Sequence, residues 1–122
     1  MVLLDTNVFI YLANGTLEAS VVKDREIAFA SITKVEALGY SKITVIEQRY
    51  LEELFNACDQ VELDEGVIKQ AIGLRLRRSL GLGDAIIAAT AIESGCELWT
   101  ANAEDFRGID ELQIINPLNS ET

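Results

Sequence analysis

The stretch Val2-Leu3-Leu4-Asp5-Thr6-Asn7-Val8-Phe9-Ile10 contains the pattern that decides the fold of this chain. It begins with three apolar residues, which is typical of a short buried strand in a parallel sheet. The apolar run stops at Asp5, and Asp5-Thr6-Asn7 is a strong signal for the start of a helix. The apolar residues that follow reach Leu12, and Gly15 closes the segment. The chain is therefore predicted to open with a strand, an acidic residue at its end and a helix.

The same alternation of strand and helix continues along the chain. Four more strands are predicted, over residues 27–30, 61–63, 97–100 and 112–115. Helices are predicted between them, over residues 31–38, 44–58, 64–78 and 84–94. The connections are short and Pro117 is the single proline, which favours one domain over residues 1–122. We expect an α/β fold, namely a three-layer α/β/α domain with a mainly parallel central sheet of four to five strands.

The overall composition excludes several classes of chemistry. The 122 residues are 49% apolar and 25% charged, which argues against disorder. There is no histidine, so a Ser-His pair, a Cys-His pair and a His-ligated zinc site are excluded. The two cysteines, Cys58 and Cys96, lie far apart and indicate a reduced, cytoplasmic protein. No apolar run approaches the roughly 20 residues that span a bilayer, so we expect no membrane role.

The acidic residues are the distinctive feature of the chain. A net charge of -10 argues against binding of nucleic acid through overall charge. Four acids nevertheless follow predicted strands or begin the adjoining helices: Asp5, Glu36, Asp84 and Asp105. Ligands of parallel sheets bind beyond the carboxyl ends of the strands, so these four acids are expected to converge there. Two carboxylates about 5 Å apart repel by ~3 kcal/mol at an effective dielectric near 20, and a divalent cation such as Mg²⁺ or Mn²⁺ removes that repulsion.

Each acid also has a plain structural interpretation. Asp5 and Asp84 occupy positions at which an aspartate simply caps a helix. Glu36 could be an exposed helix residue, and Asp105 could be a solvated loop acid. The joint pattern is more specific than any of its members. It favours metal-assisted hydrolysis of a phosphodiester.

At these positions the sequence resembles the PIN domains, and within that family the toxin-type ribonucleases of VapBC toxin–antitoxin modules. The resemblance is carried by Leu3-Leu4-Asp5-Thr6-Asn7-Val8-Phe9-Ile10, Ser31-Ile32-Thr33-Lys34-Val35-Glu36-Ala37-Leu38, Gly83-Asp84-Ala85-Ile86-Ile87-Ala88-Ala89-Thr90-Ala91 and Leu98-Trp99-Thr100-Ala101-Asn102-Ala103-Glu104-Asp105-Phe106. These motifs stand in the family's order and run almost from end to end of the chain. Families of this kind place an acid or an amide at the position of Asn102, and an acid at the position of Asp105. Because residue 102 is an amide here, we assign the fourth carboxylate to Asp105 and treat Asn102 as a supporting polar group.

The resemblance implies a Mg²⁺-dependent endoribonuclease that acts on RNA. Asp5, Glu36, Asp84 and Asp105 would be the catalytic residues and would hold the metal directly or through its waters. The resemblance also implies a homodimer and capture of the C-terminal segment of a cognate antitoxin. Thr6 and Thr100, each beside a strand end, could orient a carboxylate or a water; an ordinary cap and a strand-end hydroxyl are the alternative interpretation.

Three arginines end the helix predicted over residues 64–78, a short loop before Asp84. Arg77 falls on the polar side of this helix, whereas Arg75 and Arg78 fall within its apolar arc and are expected to face a neighbouring surface. We expect the three arginines to contact RNA phosphate or the partner protein. Pairing with acids and with the helix C-terminus is the alternative.

Other functions have weaker support. A phosphoacceptor receiver domain has a similar length and fold class, but it needs a late lysine and this chain has none after Lys69. A dehalogenase-type phosphatase needs a second aspartate at the position of Asn7. A non-catalytic α/β interaction module, or a receiver-like signalling module, stays open as the alternative. The apolar residues Ile46, Tyr50 and Leu54, with Phe9 and Tyr11, belong to the core or to an interface.

Overall fold

The structure of the chain is a computed structural model that describes residues 1–119. Its strands are β1 (Val2–Leu4), β2 (Ile27–Ala30), β3 (Asp59–Val61), β4 (Glu97–Trp99) and β5 (Ile114–Ile115). Its α-helices are α1 (Thr6–Asn14), α2 (Ser31–Leu38), α3 (Val45–Ala57), α4 (Glu65–Arg77) and α5 (Leu82–Ser94). Short 3₁₀ helices span Ala19–Val21, Ala103–Phe106 and Pro117–Asn119.

The five strands form one sheet in the order β3-β2-β1-β4-β5. Every neighbouring pair is parallel. In a parallel sheet all carboxyl ends of the strands lie along one side, which we call the carboxyl edge. The predicted α/β fold with a mainly parallel sheet of four to five strands is confirmed, and the sheet has five strands.

Alternation along the strands divides the core into two layers. Leu3, Ala28 and Leu98 pack with buried residues of α4 and α5. Val2, Leu4, Phe29 and Trp99, at the intervening strand positions, pack with residues of α1 and α3. Successive strand residues point to opposite faces, so two neighbouring apolar residues serve two different cores. The sheet is therefore covered on both faces, as the predicted three layers require.

Three aromatic rings hold α1 and α3 against the sheet. The ring centroids of Phe9 and Phe55 are 4.6 Å apart, and those of Phe29 and Phe55 are 4.7 Å apart. Phe9 and Phe29 meet edge to face at 5.9 Å, a favoured geometry for aromatic pairs. Phe9 is thus a core residue, and its position fixes α1 directly after β1.

Several predicted boundaries are wrong by a few residues. Strand β3 covers Asp59–Val61 rather than residues 61–63, because it pairs only with β2 and its polar residues face solvent at the edge of the sheet. Strand β5 is limited to Ile114–Ile115, although Leu112 is buried in the core. Strand β4 ends at Trp99, one residue earlier than predicted.

The start of α5 also differs from the prediction. Asp84 does not cap this helix: α5 begins at Leu82 after the cap residue Gly81, and Asp84 lies in its first turn. Three apolar residues of the predicted helices are exposed, namely Ile46, Ile68 and Ile72. These side chains lie on the outer faces of α3 and α4, where no other part of the described chain covers them. In residues 1–119 no helix combines the length and apolarity needed to cross a membrane.

Candidate functional site

Asp5 is the first acid at the carboxyl edge, and it is almost completely buried. It directly follows β1 and caps α1, as predicted, and its Oδ1 accepts a hydrogen bond of 2.7 Å from the backbone N–H of Thr6. Its Oδ2 accepts a second bond of 2.7 Å from the hydroxyl of Thr100. Burial raises the pKa of Asp5 more than these two bonds lower it, and the nearby Asp84 and Glu36 raise it further. Asp5 is therefore both a helix cap and part of an acidic group.

Glu36 reaches the same place from α2. Its Oε1 accepts a hydrogen bond of 2.6 Å from the hydroxyl of Thr6. Its Oε2 lies against the first turn of α5, only 2.7 Å from the position that a Cβ atom would occupy at Gly83. A glycine at this position allows the carboxylate to lie beside the backbone next to Asp84. A methyl group there would collide with the carboxylate.

Asp84 is the third acid at the carboxyl edge. It is half-buried, and desolvation is the main reason that its pKa is raised. The charges of Asp105 and Glu36 raise the pKa of Asp84 further, so both lie within electrostatic reach. Asp105 is exposed in the 3₁₀ helix that follows β4. The structure thus brings all four predicted acids to the carboxyl edge.

Basic side chains of the described residues do not offset the two acids of this group whose pKa values are raised, Asp5 and Asp84. The groups that shift the pKa values of Asp5 and Asp84 are other acids and hydrogen-bond donors, with no arginine or lysine among those of the described chain. An all-oxygen donor set with unneutralised charge has the chemistry of a site for a hard divalent cation. Within residues 1–119, however, no three acids or cysteines are already arranged as a cluster that could hold a metal ion.

The loop after β4 is fastened to the acids by polar side chains. Thr100 is fully buried, and its oxygen accepts a bond of 3.0 Å from the backbone N–H of Asn102 while its hydroxyl donates to Asp5. Asn7 accepts a bond of 3.4 Å from the backbone N–H of Ala101. Asn102 itself is exposed, and its side chain makes no capping bond. Of the predicted supporting groups, Thr6 and Thr100 bind acids directly, whereas Asn102 is held through its backbone.

The three arginines lie in different surroundings. Arg75 is exposed, and the apolar arc of α4 on which it lies continues into solvent, so its contact with RNA or a partner stays a prediction. Arg77 is 3.8 Å from Glu111. Arg78 is half-buried and donates a bond of 2.7 Å to the backbone oxygen of Arg107, two residues after Asp105. Arg77 and Arg78 border a shallow cavity of about 220 Å³ beside that segment.

Two residues of the site were missed by reasoning from the sequence. Gly83 entered the sequence analysis only as part of the motif around Asp84, yet it makes room for Glu36. Thr33 is fully buried, and its oxygen lies 3.2 Å from that of Thr6. Its spacing of three residues before Glu36 was the available signal, because residues so spaced share a helix face.

The family model for the PIN domain matches residues 2–112. Three solved structures are similar to this chain over nearly its whole length. A toxin–antitoxin complex from Klebsiella pneumoniae has 28% identity and a TM-score of 0.76, over 96% of this chain and 98% of that one. VapBC2 from Rickettsia felis, bound to a promoter DNA fragment, has 24% identity and a TM-score of 0.80, over 95% and 98%. DNA-bound VapBC from Salmonella typhimurium has 20% identity and a TM-score of 0.80, over 96% and 99%. No curated protein is similar enough in sequence to match the chain.

The raised pKa of Asp84 predicts that Asp84→Asn stabilises the metal-free chain at neutral pH. A raised pKa means that the folded chain binds this proton more tightly than the unfolded chain does, so stability falls as pH rises from 3.8 through the folded-state value. Asparagine removes that loss. We expect the Tm at pH 7 in chelator to rise by ~1–4 °C, and the difference to vanish below the ordinary pKa.

Thermal unfolding followed by circular dichroism between pH 3.5 and 7.5 measures this effect. Glu53→Gln, which removes an exposed acid on α3, is the matched control and should leave the Tm nearly unchanged. A Tm of Asp84→Asn at or below that of the native chain at pH 7 would contradict the prediction.

Proposed function

This chain belongs to the PIN-domain family, and we propose that it is a Mg²⁺-dependent endoribonuclease, the toxin of a type II toxin–antitoxin pair. PIN domains are nucleases, so the coarse activity is hydrolysis of a phosphodiester. The observation that carries the proposal is the group of Asp5, Glu36, Asp84 and Asp105 at the carboxyl edge. Two of these acids have raised pKa values, and no base of the described chain compensates them.

The four acids fit a divalent cation by the chemistry of their oxygens. PIN nucleases generally use divalent metal ions, and Mg²⁺ is proposed here, with Mn²⁺ as a substitute that accepts the same ligands. Several of their carboxylate oxygens accept hydrogen bonds from donors of the protein itself. Asp5 uses both oxygens in this way, and Glu36 uses one. Each of these oxygens keeps a lone pair with which to bind a cation.

When bound, a divalent cation supplies charge that makes an attacking water more acidic and offsets negative charge on the phosphate and the leaving oxygen. The chain's own residues position the reaction. Buried Asp5, fastened by Thr100, is the rigid side of the site. Glu36 and Asp105 lie on the exposed side, where a phosphate can approach. Asp84 lies between them in a helix turn and shares its charge environment with both.

An RNA strand must approach a chain of net charge -10. We propose that Arg77 and Arg78 supply local positive charge on the side of Asp105, because both border the cavity beside the segment that follows it. Asn102 and Thr6 are proposed as polar supports of the same site. The single domain proposed over residues 1–122 would carry out the reaction in the cytoplasm, and the two unpaired cysteines agree with a reducing environment there.

The toxin role is supported by one solved structure above 25% identity, the Klebsiella pneumoniae toxin–antitoxin complex. Exposed apolar side chains on α2 and α3 also agree with this role, because a partner protein would cover them. Val35, Val45 and Ile46 are 71%, 66% and 80% exposed on α2 and at the start of α3. We name these three residues the α2–α3 patch and propose that a cognate antitoxin covers it.

A second apolar surface supports the proposed homodimer. Ile68, Ile72 and Leu76, four residues apart along α4, are 37%, 55% and 82% exposed. We name them the α4 stripe. Glu65 lies at one end of the stripe and Arg75 near the other, and neither forms an ion pair within the part of the chain that the structure describes. Two antiparallel copies of α4 would cover the stripe and bring each acidic end near a basic end. Such self-complementarity is what a two-fold interface requires.

Cleavage of RNA tests the catalytic proposal. We expect the native chain, freed of any bound inhibitor, to cleave a pool of tRNA and ribosomal RNA with Mg²⁺ and not with chelator. Asp84→Asn should lower the rate about 100-fold or more, because it removes a charged ligand from the site. Gel analysis of products measures the rate, and Glu53→Gln is the control with full activity. If Asp84→Asn cleaved RNA as fast as the native chain, or if the native chain cleaved none, the alternative of a non-catalytic interaction module would be favoured instead.

Ile72→Glu tests the homodimer. The substitution places two like charges together at the centre of the α4 stripe, so we expect it to convert a dimer to a monomer in sedimentation. Because Ile72 is already exposed, the Tm of the monomer should change little. A native chain that sediments as a monomer, or a variant that stays dimeric, would contradict the use of this surface.

Ile46→Glu tests the α2–α3 patch as the antitoxin surface, with Ile72→Glu as its control. We expect it to weaken binding of the product of the adjacent reading frame at least tenfold in calorimetry, since it places a charge in an apolar contact. Ile72→Glu should bind that protein as the native chain does. Equal affinities of the native chain and Ile46→Glu would place the antitoxin elsewhere.

A further inference from the structure

Thr33 has a buried hydroxyl that no part of the proposed chemistry uses. It lies on α2 with no exposed surface, three residues before Glu36. In the part of the chain that the structure describes, its hydroxyl has one side-chain hydrogen bond, to the hydroxyl of Thr6, and the two oxygens are 3.2 Å apart. A hydroxyl in the core costs free energy unless it forms a hydrogen bond, so the hydroxyl of Thr33 needs a partner within the fold.

The direction of this bond follows from counting hydrogens. Thr6 has one hydroxyl hydrogen, and its oxygen also lies 2.6 Å from Oε1 of Glu36. An ionised carboxylate can only accept, so the hydrogen of Thr6 goes to Glu36. Thr33 must then donate its own hydrogen to the oxygen of Thr6. The three side chains form a one-way chain from Thr33 through Thr6 to Glu36, and each bond polarises the next.

We propose that Thr33 is a positioning residue for Glu36 and acts through Thr6. The proposal rests on the function proposed above, because the group that it positions is a ligand of the cation. Glu36 is exposed and has several rotatable bonds, so holding it in one orientation costs conformational entropy. Thr33 reduces this cost by holding Thr6 in the rotamer that bonds Oε1. Gly83 leaves space for the other oxygen, so both carboxylate oxygens are located.

This chain of hydrogen bonds also joins two helices that the sequence separates. Thr6 begins α1, whereas Thr33 and Glu36 both lie on α2. Asp5 directly precedes Thr6, so the same α1 turn carries the first acid and the residue that holds the second. The relative position of Asp5 and Glu36 therefore depends on a contact that starts at a buried hydroxyl.

Four variants test the proposal: Thr33→Val, Thr33→Ser, Thr6→Val and the double variant that combines Thr6→Val with Thr33→Val. The measurement is the affinity for Mn²⁺ alone, without RNA, from the paramagnetic resonance signal of the free ion. We expect Thr33→Val to weaken Mn²⁺ binding about 3- to 10-fold, at or below the lower end of the roughly 10- to 100-fold that outer-shell substitutions cost, because Thr33 acts through Thr6. Thr33→Ser keeps the hydroxyl and should restore affinity to within about 2-fold.

The double variant separates positioning from simple packing. If Thr33 acts through Thr6, Thr33→Val has no further effect on Mn²⁺ affinity in the Thr6→Val background. An equal loss of affinity in both backgrounds would overturn the proposal, and so would an unchanged affinity of Thr33→Val. A loss of thermal stability without a change in affinity would also overturn it, because it would assign Thr33 to packing alone.

Crystal structures of the native chain and Thr33→Val give a readout that needs no metal. We expect the bond between Thr6 and Glu36 to be lost in the variant, with Glu36 in another rotamer. Retention of that bond would overturn the proposal. If the bond is lost but the native chain binds no Mn²⁺, the positioning of Glu36 by Thr33 stands and the proposed function fails.

Discussion

The hydrogen bond between Thr100 and Asp5 is the interaction on which the arrangement of this protein depends. It joins the ends of two neighbouring strands, β4 and β1, at the carboxyl edge. Both residues are buried, so the bond compensates part of the cost of placing a carboxylate in the interior. Asp5 also caps α1 and thereby sets the position of Thr6, which holds Glu36. The acid that begins the site is thus the same group that begins the first helix.

The acidic group carries charge that the fold compensates only in part. The net charge is -10, and the buried or half-buried members of the acidic group have raised pKa values. A fold selected for stability alone would replace Asp84 by a neutral residue, because its ionised form is disfavoured where it stands. Retention of such a group at the ligand-binding edge of a parallel sheet is typical of a functional site. The acidity that argued against nucleic acid becomes an argument for a cation that mediates the contact.

Local patterns in the sequence predicted most of the fold. The apolar run before Asp5 and the helical spacing of apolar residues over 44–58 are local patterns, so β1 and α3 were located closely. Strand β3 was misplaced because an edge strand needs few apolar residues, and its register comes from pairing with β2. The exposure of Ile46 and Ile72 could not be predicted either, because it also depends on contacts with other elements. Helical periodicity identifies an apolar face, and the neighbouring elements decide whether anything covers it.

The sequence by itself determined the alternation of strands and helices, the four acids and their order along the chain, because each is a local property of residues. Only the tertiary structure decided which atoms of those residues meet. The contact of Glu36 with Gly83, the hydrogen bond between Thr33 and Thr6 and the bond from Arg78 to Arg107 all join segments far apart in the chain. Such contacts depend on sheet order and helix packing, which the periodicity of one segment does not contain.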